Sequence, residues 1–492
     1  MSARTAGPAG HEAGEGAVVP TPKPGATASR KLTDIGNGER LAEWGRDRLR
    51  YLHGLGWLLW DGKRWVRDEG GVLVEWLAKR AVRGIYGEAS YLLGQAAEAT
   101  DESERAKYNR IAEAVQKHAR SSEQASRVAA MIRMARSEEA VTLESPDELD
   151  THPYLLNVQN GVLDLKALEL RPHDPALLLT KVAKAGYDPQ AEAPFWASSV
   201  EMALPDDDVR RYVQKAMGYS ILGSYSEYLF IPWGAGANMK STLLRAIRDV
   251  LGDYAAEATA ELLVQKREWG AASDSALAGM RGSRLVTTIE TEQGKKMAEV
   301  LVKQLTGEAK ISAKFMRHDY FEYENQAAVW LATNHKPIVQ GMDYAIWRRL
   351  RLIPFTVTIP ESKRRAPEDV HQALMAERDG ILRWLIDGLR MYWADGLVEP
   401  EPVRAATDAY REEMDPMSEW LVDCCVFGAG GWTAVGDLRR SYEGHCRDNG
   451  RTPVGAVKFN EALEKRGCSR KTHRFPLMDK PTKAWSGVRV DL

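Results

Sequence analysis

Residues Phe230 to Val250 read FIPWGAGANMKSTLLRAIRDV. An apolar run of strand character enters a glycine-bearing turn, Gly234-Ala235-Gly236-Ala237-Asn238-Met239-Lys240-Ser241-Thr242, and leaves through an amphipathic helix. Backbone N–H groups of such a turn converge on phosphate oxygens, and the helix N-terminus adds positive partial charge. The pattern predicts a loop that binds a nucleoside triphosphate, with Lys240 reaching the β and γ oxygens and Ser241 holding Mg²⁺. One position departs from G-x-x-x-x-G-K-S/T. Met239 stands before the lysine where the pattern has glycine, the residue with the most permissive backbone.

The chain has 492 residues, which suggests about three domains rather than one core. Hydrophobic residues make up 44% and charged residues 28%, the balance of a globular protein. With 67 basic against 69 acidic residues it is not basic all over, so a nucleic-acid surface must be local. Cys424, Cys425, Cys446 and Cys468 lack the paired spacing of a zinc site and read as reduced thiols. No run approaches the roughly eighteen apolar residues of a membrane helix and no apolar signal core opens the chain, so a cytoplasmic protein without a membrane partner is expected.

Residues 1–30 are rich in Ala, Gly, Pro and Thr and are expected to be a disordered tail. From Lys31, Leu41, Trp44 and Leu49 fall at helical spacing after Asp34 and Asn37 as caps. GWLLWDGKRWVRD then reads as a hairpin about Asp61-Gly62, whose Trp57, Trp60 and Trp65 favour core packing over base stacking. Val72 to Ala140 is helical in pattern, a small β-element follows about Asn160-Gly161, and Ala193 to Leu222 returns to helix before the phosphate loop.

Beyond the loop, Ser283 to Ile289 is a β-branched strand ending in Glu290, with Glu292 two residues on. A carboxylate on a strand beside the loop strand would enter the Mg²⁺ shell, and Glu292 would orient or deprotonate the attacking water; a solvated strand edge is the plain alternative. ISAKFMRHDYFEYE reads as a hairpin with Lys314, Arg317 and His318 at its tip, a candidate finger for DNA phosphates or a merely solvated turn. Ala327 to Thr333 is a buried strand ending at Asn334, placed to contact a γ-phosphate from between the loop strand and the acid strand. Arg348 and Arg349 lie in the apolar stretch to Phe355, so each either meets an acid or serves a phosphate across a subunit boundary.

The ordered series GAGANMKST, RLVTTIETEQG, VKQLTGEAKISAKFM, WLATNHKP, AIWRRLRLIPF and GILRWLIDGL resembles the C-terminal helicase part of phage- and plasmid-type primases. These are superfamily 3 helicases of the AAA+ class, similar also to the poxvirus primase-helicase. The resemblance runs from about residue 31 to the end. It implies that Lys240, Ser241 and Thr242 bind ATP and Mg²⁺, and that Glu290 and Glu292 are the acidic pair, with Glu290 on the metal. It further implies that Lys314, Arg317 and His318 contact DNA, that Asn334 is the sensor, and that Arg348 or Arg349 is the finger for a neighbour's ATP. Such proteins form hexameric rings that draw one strand through the centre, 3′ to 5′. Met239 in place of glycine leaves hydrolysis less assured than binding, and with no primase catalytic domain ahead of the helicase, primer synthesis is not expected.

From Ser418 three helical stretches and a hairpin suggest a winged-helix module, with Arg466, Arg470, Lys471, Arg474, Lys480, Lys483 and Arg489 against Asp479 alone. The expected fold is α/β and multidomain. A mostly helical N-terminal domain with small hairpins spans 31–190, an AAA+ P-loop ATPase domain 191–392, and a winged-helix DNA-binding domain 393–492. The leading function is an ATP-dependent, ring-forming DNA helicase of phage, plasmid or other mobile-element replication in a bacterial cytoplasm, acting on single-stranded or origin DNA beside a primase or polymerase. The alternative is a nucleotide-gated initiator or loader scaffold with weak ATP turnover.

Overall fold

The computed structural model describes residues 30–265, 271–289, 293–314, 320–340, 344–476 and 480–490. It is a mixed α/β, multidomain chain with a helical N-terminal region and a central parallel sheet. The expected tail falls almost wholly outside the described residues.

The N-terminal helix, Asp34–Trp44, starts at Thr33, whose hydroxyl accepts from Gly36 N–H. It stops at Gly45, so the helical spacing that carried the expectation on to Leu49 is overturned. Leu49–Leu52 is a strand, paired antiparallel with Gly56–Trp60 and parallel with Thr142–Leu143. The hairpin about Asp61-Gly62 pairs Trp60 with Trp65, and Trp57 and Trp65 are buried. Helices Val72–Glu98, Glu102–Ser122 and Ala125–Ala135 follow. Among them the Arg40 guanidinium forks onto both Glu88 oxygens at 2.9 Å, both side chains being almost fully buried.

In the central sheet we number the strands β1 (Leu229–Trp233), β2 (Ala255–Thr259), β3 (Leu285–Ile289), β4 (Ala328–Ala332) and β5 (Leu350–Pro354). The order is β5-β1-β4-β3-β2, all parallel. Near-continuous apolar runs form the central strands β1 and β4, which are covered on both faces, whereas edge strand β2, AAEAT, is mostly not buried. Phe230 stacks on Trp330 at 4.5 Å on the face beneath helix α1 (Lys240–Leu251), which supplies Leu243, Leu244 and Ile247. Leu229, Ile231, Val329 and Leu331 face the other way, against Leu301, Leu305 and Tyr410.

Three further helices close the α1 face: Pro194–Ala203, Asp207–Tyr219 and Arg378–Asp395. The latter two touch backbone to backbone. A Cβ on Gly218 would lie 2.1 Å from Leu389 N and one on Gly388 2.1 Å from Gln214 O, so neither glycine can be replaced without parting the helices. The antiparallel strands Leu155–Val158, Gly161–Asp164 and Glu169–Arg171 also reach this core, through Leu156, Val158 and Leu163. Helix Glu401–Met414 packs on β5, where Thr407 Oγ1 accepts from Leu352 N–H at 3.0 Å.

The last segment runs helix Ser418–Cys424, strand Cys425–Ala434, helices Val435–Asp448 and Ala456–Glu464, then strands Ser469–His473 and Thr482–Val490. The final strand lies central in a three-stranded sheet, with Ser469–His473 and Cys425–Ala434 at its edges. Trp420, Tyr442, Phe459 and Trp485 fill the space between this sheet and the helices.

Candidate nucleotide site

Strand β1 delivers the chain to Gly234 at the C-terminal edge of the sheet, where open α/β sheets bind ligands. A Cβ at Gly234 would sit 2.1 Å from Phe355 O, so the close pass of two backbones demands glycine. Phe355 N–H donates to Trp233 O at 2.7 Å and Ile359 N–H to Ala237 O at 2.8 Å, stitching the segment after β5 along the loop. Ala237 and Met239 both take left-handed backbone, with φ of 58° and 65°. Met239 thus adopts the conformation that the pattern reserves for glycine. Its side chain packs against the core beneath α1, a contact that offsets the cost of about 1–2 kcal/mol for a residue with Cβ.

Helix α1 begins at Lys240 with Met239 as its cap, which leaves the amides of the first turn without intrahelical acceptors. The Lys240 side chain is 4% exposed. Its ammonium donates to Gly234 O at 2.8 Å, Ala235 O at 3.2 Å, Asn238 Oδ1 at 2.9 Å and Asn334 Oδ1 at 3.1 Å. Ser241 is exposed on the first turn and Thr242 is half-buried. A fixed ammonium, a turn of unsatisfied amides and a free hydroxyl form a donor set that fits a triphosphate and its divalent cation.

Asn334 follows β4, which lies between β1 and β3. The acid strand is therefore one place removed from the loop strand and not beside it, as the order of the sheet requires. Thr287 and Thr288 on β3 are fully buried. Glu290 and Glu292, which follow them, lie outside the described residues, as do Arg317 and His318. Next to Asn334, Lys336 lies over the Trp233 ring at 4.4 Å and pairs with Glu413 at 2.6 Å, bracing the sheet edge against the Glu401–Met414 helix.

The other expected residues lie away from the loop. Arg348 and Arg349 precede β5 and so sit at the N-terminal edge of the sheet, opposite Lys240. Arg348 is exposed. Arg349 donates to Ala345 O at 2.5 Å and its guanidinium lies against Gly307, where a Cβ would be 2.8 Å from Nη2. Lys314 follows the first strand of the hairpin, Lys310–Ala313 paired with Phe321–Glu324. Its ammonium lies 4.4 Å from the Tyr320 ring centre and 3.8 Å from Asp274 Oδ2, to which Tyr320 O–H also donates. Lys314 thus ties the hairpin to helix Ala271–Gly279.

Sequence reasoning included Asn238 only as a loop position, yet it holds the lysine through Oδ1 while its Nδ2 donates to Phe355 O at 3.4 Å. It missed the Phe355 to Ile359 segment altogether, because backbone pairing leaves no side-chain signature.

Three comparisons with known proteins give partial similarities. The family model described as D5 N terminal like matches residues 38–205. A putative helicase (L207/L206) of Acanthamoeba polyphaga mimivirus is 26% identical over 298 residues, covering 56% of this chain and 31% of that protein. A putative primase (C962R) of African swine fever virus is 23% identical over 303 residues, again covering 56% and 31%. The chain spans about a third of the length of these relatives. The C-terminal region of NrS-1, residues 305–718, superposes with a TM-score of 0.43 at 11% identity, covering 71% of this chain and 86% of that one. Over part of its length the chain is thus similar to D5-type primase-helicases. Among the described residues no helix is long and apolar enough to cross a membrane.

Proposed function

We propose that this chain is the ATP-dependent motor of a replicative DNA helicase, of the superfamily 3, AAA+ type. The observation that carries the reading is the convergence of Lys240 and Asn334 at the C-terminal edge of a β5-β1-β4-β3-β2 parallel sheet. The names of the relatives, helicase and primase, support a role in DNA replication.

In this reading Lys240 and the first amides of α1 bind the β and γ phosphates, and Asn334 orients the attacking water or the γ-phosphate. Ser241, with Glu290, would hold Mg²⁺, which neutralises charge on the bridging oxygens; Glu292 would act on the water. Arg348, exposed at the opposite edge of the sheet, is the better-placed finger for a neighbouring subunit's nucleotide. Arg349 is engaged within its own chain. A ring, of six subunits in the family read from the sequence, would then place the hairpin of Lys314, Arg317 and His318 toward a central DNA strand. The C-terminal segment has the helix-strand-helix-helix-hairpin order of a winged helix and would serve as a second DNA contact. The weak-turnover scaffold gains no support from Met239, whose left-handed backbone keeps the loop in the form that a glycine would give it.

The test is strand displacement from a forked duplex with a single-stranded 3′ tail. ATP- and Mg²⁺-dependent unwinding that Lys240→Ala abolishes is expected. ATP hydrolysis without unwinding on either tail polarity would return the scaffold reading.

A further inference from the structure

The C-terminal module carries its positive charge in an unexpected place. A winged helix is expected to read DNA with its third helix, here Ala456–Glu464. That helix has Lys458 against Glu461 and Glu464, and with Lys465 at its C-cap it carries no net positive charge. The hairpin that follows, residues 469–490, holds Arg470, Lys471, Arg474, Lys480, Lys483 and Arg489 against the single acid Asp479. Charge complementarity with a polyanion therefore lies on the sheet and not on the helix.

The register shows what else that sheet presents. Residues directly opposite each other share a face. Trp432 is opposite Ser486, Lys471 opposite Ala484 and His473 opposite Thr482, so these pairs lie on one face. Trp485, between two of them, points the other way into the helical core. On the face turned from the helices, Trp432 and His473 stack at 4.2 Å with 11° between ring planes, and Phe475 meets His473 edge-on at 4.8 Å. All three rings keep exposed surface, while Ala484 beneath them is fully buried. Lys471 shares the face, and Arg474 and Lys480 are exposed just beyond the paired ends His473 and Thr482.

We propose that this face of the C-terminal sheet is a stacking platform for unpaired bases of single-stranded DNA, with Trp432, His473 and Phe475 taking bases and Lys471, Arg474 and Lys480 taking phosphates. Aromatic faces within a basic surface bind single strands with little regard to sequence, because every base has a π-face, whereas a duplex keeps its base faces covered. The platform deepens the DNA-binding part of the proposed function and rests on it. The module grips the strand by its wing sheet and leaves its third helix free of DNA.

The test measures binding of the full-length protein to a fluorescein-labelled oligo(dT) and to a blunt duplex of equal length, by anisotropy across a salt series. Trp432→Leu keeps apolar volume but loses the ring, and it should weaken oligo(dT) binding about five- to tenfold with little change in duplex binding. Trp432→Phe should restore most of the loss. Lys471→Ala with Arg474→Ala should lower the salt dependence of oligo(dT) binding, and Lys458→Ala should change nothing. Oligo(dT) binding by Trp432→Leu equal to wild type overturns the platform while leaving the ATP-driven motor untouched. So does a loss in Lys458→Ala as large as that in Trp432→Leu, which would give the site to the helix. A wild-type protein that binds neither DNA overturns the platform together with the DNA-binding reading.

Discussion

The Lys240 ammonium and the Asn334 side-chain oxygen lie 3.1 Å apart, although 94 residues separate them in sequence. The contact exists because β1 and β4 are neighbours in the sheet and both end at the same edge. Removing the lysine takes away the main side-chain charge at the phosphates, so Lys240→Ala should lose turnover roughly a hundredfold or more together with nucleotide affinity. Asn334→Ala should keep ATP affinity within a few-fold and lose turnover alone. Titration of ATP into both variants, beside single-turnover hydrolysis, separates the two effects. Parallel loss of affinity in Asn334→Ala would make it a binding residue.

Met239 carries a prediction about backbone. At φ of 65° a glycine would relieve roughly 1–2 kcal/mol of strain, but it would also give up the packing of the methionine against the core, of similar size. Met239→Gly should therefore leave both stability and ATP affinity nearly unchanged. Met239→Val, β-branched at positive φ, should destabilise by about 1–3 kcal/mol. Denaturant midpoints of the three proteins decide it, and a tolerated valine would contradict the left-handed assignment.

The arginines at the far edge of the sheet predict a mixing signature. Arg348→Ala subunits and Lys240→Ala subunits, each inactive alone, should recover part of the ATPase when combined, since a mixed interface can hold one intact lysine and one intact arginine. Arg349→Ala should instead lower thermal stability, because its guanidinium bonds Ala345 O and lies over Gly307. Recovery with Arg349→Ala and none with Arg348→Ala would reverse the assignment.

In the N-terminal region His118 is buried, with Nε2 2.9 Å from Asn37 Oδ1. Burial, then the nearby Arg40 and Arg127 charges, lowers its pKa from the ordinary 6.5. The unfolded chain thus binds a proton that the folded chain refuses, and the stability contributed by the neutral ring is present above pH 6.5 and lost as pH falls below it. Melting temperature should drop on acidification below that pH, and His118→Gln should shallow the drop. Burial also lowers the His173 pKa, so part of the slope should remain. An unchanged slope in His118→Gln would remove His118 from the account.

Strands β1, β3 and β4 and the loop were legible because central parallel strands write themselves as apolar or β-branched runs, and because the loop must place Lys240 at a helix start; the edge strand β2, AAEAT, carries no such run. Strand Leu49–Leu52 was hidden, since its apolar residues happened to continue the helical spacing of Leu41 and Trp44 past the stop at Gly45. Strand Cys425–Ala434 was hidden by Gly428, Gly430 and Gly431, which weaken any strand pattern and mark the irregular pairing between Phe427 and Trp432. Lys314 was legible only as a cation near a hairpin tip, a candidate DNA contact or a solvated turn. Its pairing with Asp274 depends on a helix 40 positions earlier in the chain, which no local pattern reveals.

The central claim, an ATP-driven DNA motor built around Lys240 and Asn334, is tested most directly by steady-state ATP hydrolysis with and without single-stranded DNA. Mg²⁺-dependent hydrolysis by the wild type, stimulated several-fold by single-stranded DNA and absent in Lys240→Ala, is the predicted result. Hydrolysis that persists in Lys240→Ala, or a wild-type protein that hydrolyses no nucleotide with or without DNA, would contradict the account.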